Sequence, residues 1–372
     1  MKTQVYMVRH CESEGNACRR CHAQFDGIVT RKGLYQSEAL AERFRDNHVD
    51  AIYSSDAYRS RMTAAPLAKQ KGIAPQYRML LREYTIGNWE GMGIGDVARA
   101  NPEAWDVWVK RPWDHNIPGA DIFTKVADRG TEIIRRMAKE NPGGVVVAVT
   151  HSCTLTCTLT RLLGQPISYY TNIKSGDNTA VTLIDVNDQD DMDVRFINDD
   201  SHLNQELRRS NYTGRGRDSN MAFDYAVFPK DTERFLEFYH KYFVENDNAY
   251  YNKTILENTH TIHKQIIIFP MLMDRTCGMI ILKELAELPA THGFVDLFYV
   301  LEELRPNGYC EQSLGEAIDA LRRMGKQYLA IRRPTDEYGI KMCDRFCFKP
   351  MAYNPNILEL AITVPGIDGP IY

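Results

Sequence analysis

At 372 residues the chain has room for two domains, each able to bury its own core. Hydrophobic residues at 44% and charged residues at 25% exclude a disordered or collagen-like chain. A net charge of -4 without a long basic run argues against nucleic acid as a partner, and no uninterrupted apolar stretch nears the length of a membrane span, so no membrane is expected either. The apolar stretch at Val5 to Val8 is too short for a signal peptide, so the cytoplasm is the expected location. Nine scattered cysteines read as reduced thiols. Cys18-Arg19-Arg20-Cys21-His22 has the spacing of haem attachment. With no export signal and no second close cysteine pair for zinc, it reads as coincidence in a loop.

Residues 3–8 are a β-branched and aromatic run, expected to form a buried strand. A polar loop covers 11–29, and Thr30 is placed to cap a helix over 31–44. Residues 51–53 read as a strand, 57–71 as a helix, 75–80 as a strand, and 95–110 and 123–140 as helical. Val145 to Val149 is the clearest core strand and runs into Thr150-His151-Ser152 and a helix over 153–163. Strands over 178–186 and 192–197 follow. Strands alternating with helices predict an α/β fold with a largely parallel sheet. Residues 206–220 are polar, with Gly214, Gly216 and four arginines, and read as a linker between domains at 1–205 and 221–372. In the second domain, strands are expected over 221–227, 266–269, 278–282, 294–300 and 328–331, and helices over 232–243 and 313–324.

In a parallel sheet the carboxyl ends of the strands form the ligand crevice. Arg9 and His10 end the first strand, Arg59 follows the Ser54-Ser55-Asp56 turn, and His151 ends the core strand. Two histidines and two arginines there make a cationic pocket suited to phosphate oxygens, and the helix after His151 adds its first N–H groups. Histidine, with an ordinary pKa of about 6.5, is a nucleophile towards phosphorus at neutral pH. Glu83, in Leu81-Arg82-Glu83, is placed to protonate a leaving alkoxide and then to activate water.

Val8-Arg9-His10-Cys11-Glu12-Ser13-Glu14-Gly15-Asn16 resembles the signature of the histidine phosphatase, or phosphoglycerate mutase-like, superfamily. Further segments follow in the family's order: Phe25 to Thr30 with Gly33 and Gln36, Tyr53 to Ser60 with Thr63-Ala64, Leu81-Arg82-Glu83 with Gly87 to Gly91, Val149 to Ser152, and Asn198 to Leu203. Over 1–205 the resemblance implies a three-layer α/β/α domain that hydrolyses a small phosphorylated metabolite through a phosphohistidine, with no metal and no cofactor. It implies His10 as nucleophile, Glu83 as proton donor, and Arg9, Arg59 and His151 as phosphate ligands, with Asn16 and Ser152 as further contacts. Cys11 and Ser152 stand where glycine is usual, and Gly119-Ala120-Asp121 lacks a glutamate often found there; these departures bear on pocket shape. Mutases in the family tend to carry longer insertions beside the pocket, so this compact domain favours hydrolysis over mutase-type phosphoryl transfer. His202 and Trp89 read as structural.

In the second half, the strand over 294–300, the turn at Leu304 to Cys310 and the following helix make a ready pyrophosphate site, where Gly308 permits close backbone approach. These elements resemble the GNAT acetyltransferase fold, an α+β domain. Its loop pattern is matched by Arg305-Pro306-Asn307-Gly308-Tyr309 and broken at Cys310. The resemblance implies acetyl-CoA held around Val300, Arg305, Asn307, Gly308, Tyr309 and Cys310, and an amine acceptor. Cys343 falls where the family often has a tyrosine acid, and Cys347 where glycine is usual; Tyr338, Cys343 and Asp296 read as structural. Two readings stay open: a bifunctional enzyme, or a phosphatase with a non-catalytic regulatory or binding module. Neither the oligomeric state nor the identity of the metabolite is legible.

Overall fold

The computed structural model describes residues 1–208, 219–243 and 265–366. They form two compact units: one holds the described residues up to 208 with the short segments 345–347 and 364–366, and the other holds the remainder. Most of the expected linker, 209–218, lies outside the described residues.

The first unit runs β1 (Lys2–Arg9), α1 (Glu14–Ala17), α2 (Arg31–Arg43), β2 (Ala51–Ser54), α3 (Tyr58–Lys71), β3 (Gln76–Tyr77), α4 (Ile94–Ala100), α5 (Pro102–Lys110), α6 (Phe123–Glu140), β4 (Val145–Thr150), α7 (Ser152–Leu162), β5 (Val181–Asn187) and β6 (Met192–Asp199). The sheet order is β3-β2-β4-β1-β5-β6. The first four strands of that order are mutually parallel, and β5 and β6 are antiparallel additions. β1 and β4 lie in the middle, covered on both faces, which is why their sequences are near-continuous apolar runs. Side chains alternate between the faces. Val5, Met7, Val146 and Ala148 pack with Ile133, Ile134 and Met137 of α6 and Leu155 and Leu159 of α7. Val8, Ile52, Val147 and Val149 pack with Leu40 of α2 and Ala64 and Leu67 of α3. The result is a three-layer α/β/α unit.

Several boundaries differ from expectation. Residues 75–80 hold only the two-residue β3 and then a short 3-10 turn, Met79–Leu81. The helix expected over 95–110 is two helices, because Pro102 has no N–H to continue α4 and instead opens α5. β5 begins at Val181 rather than 178, since Thr179 takes a positive φ of 66° that no strand accommodates. As foreseen, Thr30 caps α2, its hydroxyl accepting from the Gly33 N–H at 3.1 Å.

The second unit runs β7 (Ala222–Tyr225), α8 (Thr232–Phe243), β8 (Gln265–Leu272), β9 (Arg275–Thr276), β10 (Gly278–Lys283), β11 (His292–Val300), α9 (Tyr309–Arg323), β12 (Tyr328–Arg332), α10 (Glu337–Arg345), β13 (Lys349–Met351) and β14 (Asn354–Ala361). Its sheet order is β13-β14-β12-β11-β10-β8-β7, with β9 paired to β8. β11 and β12 are parallel, while every other described pair is antiparallel. β11 pairs with β12 only from His292 to Val295, so its last residues run beyond the shared ladder. A bulge at Asp296 bends β11 there against β10. α9 packs close to β11: a Cβ on Gly293 would lie 2.2 Å from the Leu321 side chain. The helix starts at Tyr309, four residues before the expected 313, because Gly308 at a φ of 79° turns the chain into it. α10, β13 and β14 were not foreseen, although in β14 Leu358 and Leu360 alternate on the buried side.

Candidate active site

Parallel register brings the chemistry together. Arg9 lies opposite Thr150, and Ser54 opposite Val149. The next residues, His10, Ser55 and His151, therefore leave the sheet side by side. The ladder extends one step further: the His10 N–H donates to the Thr150 carbonyl and the Ser55 N–H to the Val149 carbonyl, both at 2.9 Å. His10 is 3% exposed, His151 and Arg59 are fully buried, and the two imidazole centroids stand 5.1 Å apart.

Hydrogen bonds assign the tautomers. His10 Nδ1 lies 2.7 Å from the Cys11 carbonyl, which only accepts, so Nδ1 carries the hydrogen and Nε2 keeps its lone pair. His151 is the reverse. Its Nδ1 accepts from Arg59 Nη2 at 3.2 Å, because a guanidinium only donates, and its Nε2–H donates to Ser55 Oγ at 2.9 Å. Burial first, and then the Arg59 charge, hold both histidines well below the usual imidazole pKa, so both are neutral at pH 7. A neutral imidazole is the form able to attack phosphorus.

Arg59 rises from the first turn of α3. Its Nη1 donates to the Phe25 carbonyl and to Asp26 Oδ1, both at 3.1 Å, and its Nη2 donates to the Ala23 carbonyl at 2.7 Å. The guanidinium is thereby clamped between the 23–26 loop and His151. Its buried Nε has no partner among the described residues, a donor that an anion would satisfy. Arg9 Nη1 donates to the Gly176 carbonyl at 2.8 Å.

Glu83 is held at the amino end of α7. Its Oε1 accepts from the N–H groups of Tyr84 and Thr154 and from the Thr154 hydroxyl, at 2.8 to 3.0 Å. Its Oε2 accepts from the Cys153 N–H alone, at 3.0 Å, and so retains the greater capacity for a proton. Asn16 closes the cap of the four-residue α1, its Oδ1 accepting from the Ser13 N–H at 3.1 Å. Ser152 opens α7 and is half-buried. Cys11 is buried with its Sγ 3.7 Å from the Arg59 carbonyl, while its N–H donates to Thr63 Oγ1 at 2.8 Å. His202 bridges Arg43 and Thr179, and Trp89 packs in an aromatic cluster with Trp105 and Trp108.

Sequence reasoning missed six contributors. Asn178 Nδ2 donates to the His10 carbonyl at 2.9 Å, from a segment read as strand. His22 stands edge-on to His10 with centroids 5.9 Å apart; its signal was the Cys-x-x-Cys-His run read as coincidence. Asp26, Asp56, Arg61 and Arg82 line a pocket together with Glu83 and His151. Arg82 grips Asp56 with two nitrogens, and that hydrogen bonding holds the Asp56 carboxyl below its usual range.

In the second unit, Val300 ends β11 and Arg305 Nε donates to its carbonyl at 2.8 Å, with the guanidinium 5.2 Å over the Tyr299 ring. Arg305 and Asn307 lie in a 3-10 turn, Glu302–Asn307. Tyr309 and Cys310, read as loop residues, instead form the first turn of α9 and are buried. Asp296 is ion-paired with Lys283 at 2.8 Å and with Arg332 at 3.4 Å, and Cys343 is buried.

Phosphoserine phosphatase 1 of Hydrogenobacter thermophilus is 26% identical over 202 residues, covering 54% of this chain and 95% of that protein. "Probable phosphoglycerate mutase GpmB" of Salmonella choleraesuis is 32% identical over 164 residues, covering 44% of this chain and 76% of its own. The solved structure of Bacillus stearothermophilus YhfR is 26% identical with a TM-score of 0.52, over 54% of this chain and 98% of that one. The pattern of the histidine phosphatase superfamily (branch 1) matches residues 5–200, the stretch that builds the His10–Arg59–His151 pocket, and through it the chain belongs to that superfamily.

Proposed function

We propose that the first unit hydrolyses small phosphomonoesters in two steps through a phosphohistidine at His10. The observation that carries this reading is the tautomer of His10: the Cys11 carbonyl holds Nδ1–H, which leaves the Nε2 lone pair for phosphorus. In the first step Nε2 bonds to phosphorus, the ester P–O bond breaks, and the leaving oxygen takes a proton from Glu83 Oε2. In the second, the Glu83 carboxylate removes a proton from water, hydroxide bonds to phosphorus, and the P–N bond breaks to release phosphate. Arg9, Arg59 and His151 position the phosphoryl oxygens, with Asn16 and Ser152 at the rim. The positive charge comes from side chains, so activity is expected to persist in chelator.

The leaving group we propose is that of an amino acid phosphate such as phosphoserine. The wall beyond the phosphate carries both signs, Arg61 and Arg82 with Asp26 and Asp56, and a substrate's carboxylate and ammonium would exchange with the Arg82–Asp56 and Arg59–Asp26 pairs. The name of the Hydrogenobacter relative supports the same class. The test is phosphate release in chelator from a panel holding phosphoserine, 3-phosphoglycerate and uncharged phosphomonoesters, with His10→Ala as control. Preference for phosphoserine supports the reading. Isomerisation of 3-phosphoglycerate faster than any hydrolysis would replace it with the mutase alternative.

For the second unit we propose a GNAT-like fold that binds acetyl-CoA and acylates an amine. The supporting observation is that the ladder between β11 and β12 stops at Val295 while β11 runs on to Val300, ahead of the turn that Gly308 bends into the amino end of α9. Acetyl-CoA should raise the unfolding temperature of the full chain. A rise without acyl transfer to any amine would favour the non-catalytic module, and no rise would remove the cofactor.

A further inference from the structure

His22, half-buried, stands beside the chemistry and has no part in the two steps above. Its ring stands edge-on to His10, 5.9 Å away between centroids. The segment that carries it is pinned. Arg20 forms a β-bridge to Gly93, the Cys21 N–H donates to the Met92 carbonyl at 2.8 Å, and the Ala23 and Phe25 N–H groups both donate to Glu90 Oε1. The chain makes room for the ring at Gly15, where a Cβ would lie 2.2 Å from the imidazole. His22 Nδ1 is 3.0 Å from the Arg20 carbonyl, so Nδ1 carries the hydrogen and Nε2 holds a lone pair. A lone pair is the wrong partner for a phosphate dianion, and a proton at Nε2 would make it a donor.

We propose that His22 takes up one proton from solvent when phosphate binds at His10, donates it from Nε2 to a phosphate oxygen, and releases it when phosphate leaves. This rests on the phosphatase reading of the pocket. The charges around His22 explain why the proton waits for the anion. Arg59 on α3 and Arg9 on β1 face it as cations, and His10 and His151 add no negative charge. Of the nearby carboxylates, Asp26 is paired with Arg59, Glu14 Oε2 accepts from the Ile28 N–H, and Glu90 accepts from two backbone amides. Burial, then Arg59, push His22 down to about 3, so it is neutral at pH 7. A bound dianion offsets both cations and supplies the acceptor, which reverses that balance.

The test is calorimetry of inorganic phosphate binding to the full chain at pH 7.5, in buffers of different ionisation enthalpy, for wild type and His22→Gln. Phosphate's own ionisation cancels between the two proteins. The expected result is about one more proton taken up by wild type than by H22Q, and a wild-type affinity that falls up to tenfold per pH unit while the pH stays below the bound-state pKa and levels off above it, with H22Q flatter throughout. Equal proton uptake overturns the proposal even if H22Q binds weakly, because weaker binding alone is what a packing role would produce. If glutamine strains the contact with Gly15, His22→Asn gives the same comparison. Phosphate release from substrate by wild type, measured alongside, separates this outcome from failure of the phosphatase reading.

Discussion

At the scale of single residues, the proposed chemistry depends on which nitrogen or oxygen is left for the reaction. His10→Ala removes the nucleophile, and kcat is expected to fall by more than about 1,000-fold, with no acid-labile phosphoenzyme trapped by quenching. Retained turnover in H10A would remove His10 from the mechanism. Glu83→Gln is subtler, because glutamine keeps an oxygen for the Thr154 and Tyr84 N–H groups yet cannot carry the proton assigned to Oε2. For alkyl phosphates, kcat/KM should drop roughly 100- to 10,000-fold. For an aryl phosphate, whose leaving group needs no proton, the loss should be much smaller. Equal losses for both would assign Glu83 to positioning rather than acid catalysis. His10, Arg59 and His151 were legible because each stands next to a strand or turn signal. Asn178 was not, since its partner His10 lies 168 residues away, and His22 was not, because it sits in a Cys-x-x-Cys-His run that points to other chemistry.

At the scale of elements, the site depends on how closely α7 is seated, since its first N–H groups hold Glu83. α6 packs on it through Gly130, where a Cβ would lie 1.8 Å from Thr158 Oγ1. Gly130→Ala should therefore lower stability by about 1–3 kcal/mol through overpacking, despite alanine's better helix propensity. Thr158→Ala in the same chain should recover most of that loss, as denaturant midpoints would record. A stabilised G130A would mean that the helices separate freely. Apolar periodicity marks α2 and α6, each with a clear buried face, whereas α3 buries mainly small and polar residues. It failed at Pro102, where one periodic stretch is two helices, and the alternation of Leu358 and Leu360 in β14 went unread. α9 shows the limit at a helix start: its periodicity was read from 313, but Gly308 lets the chain turn four residues earlier.

For the molecule as a whole, the buried neutral histidines couple stability to pH. His10 and His151 have folded-state pKa values well below 6.5, the ordinary value they regain on unfolding. Below about pH 6.5 the unfolded chain therefore binds protons that the folded chain does not, and stability falls as pH falls. The slope approaches about 1.4 kcal/mol per pH unit for each histidine, and above that range these two add none. Urea unfolding between pH 7.5 and 5 should show the slope reduced in His151→Asn, and a slope unchanged there would place its origin in other groups. The sequence by itself determined the α/β class, the apolar central strands and the order of the segments that meet around His10. Those are properties of local pattern: strand runs, helix periods and the residue types that end them. Tertiary structure alone decided the tautomers of His10 and His151, the anchoring of Glu83 on α7, the Asp56–Arg82 pair and the place of His22. Each of these depends on a partner brought near by parallel register or by a glycine that lets two elements touch, and neither the register nor the close approach is written in any local pattern.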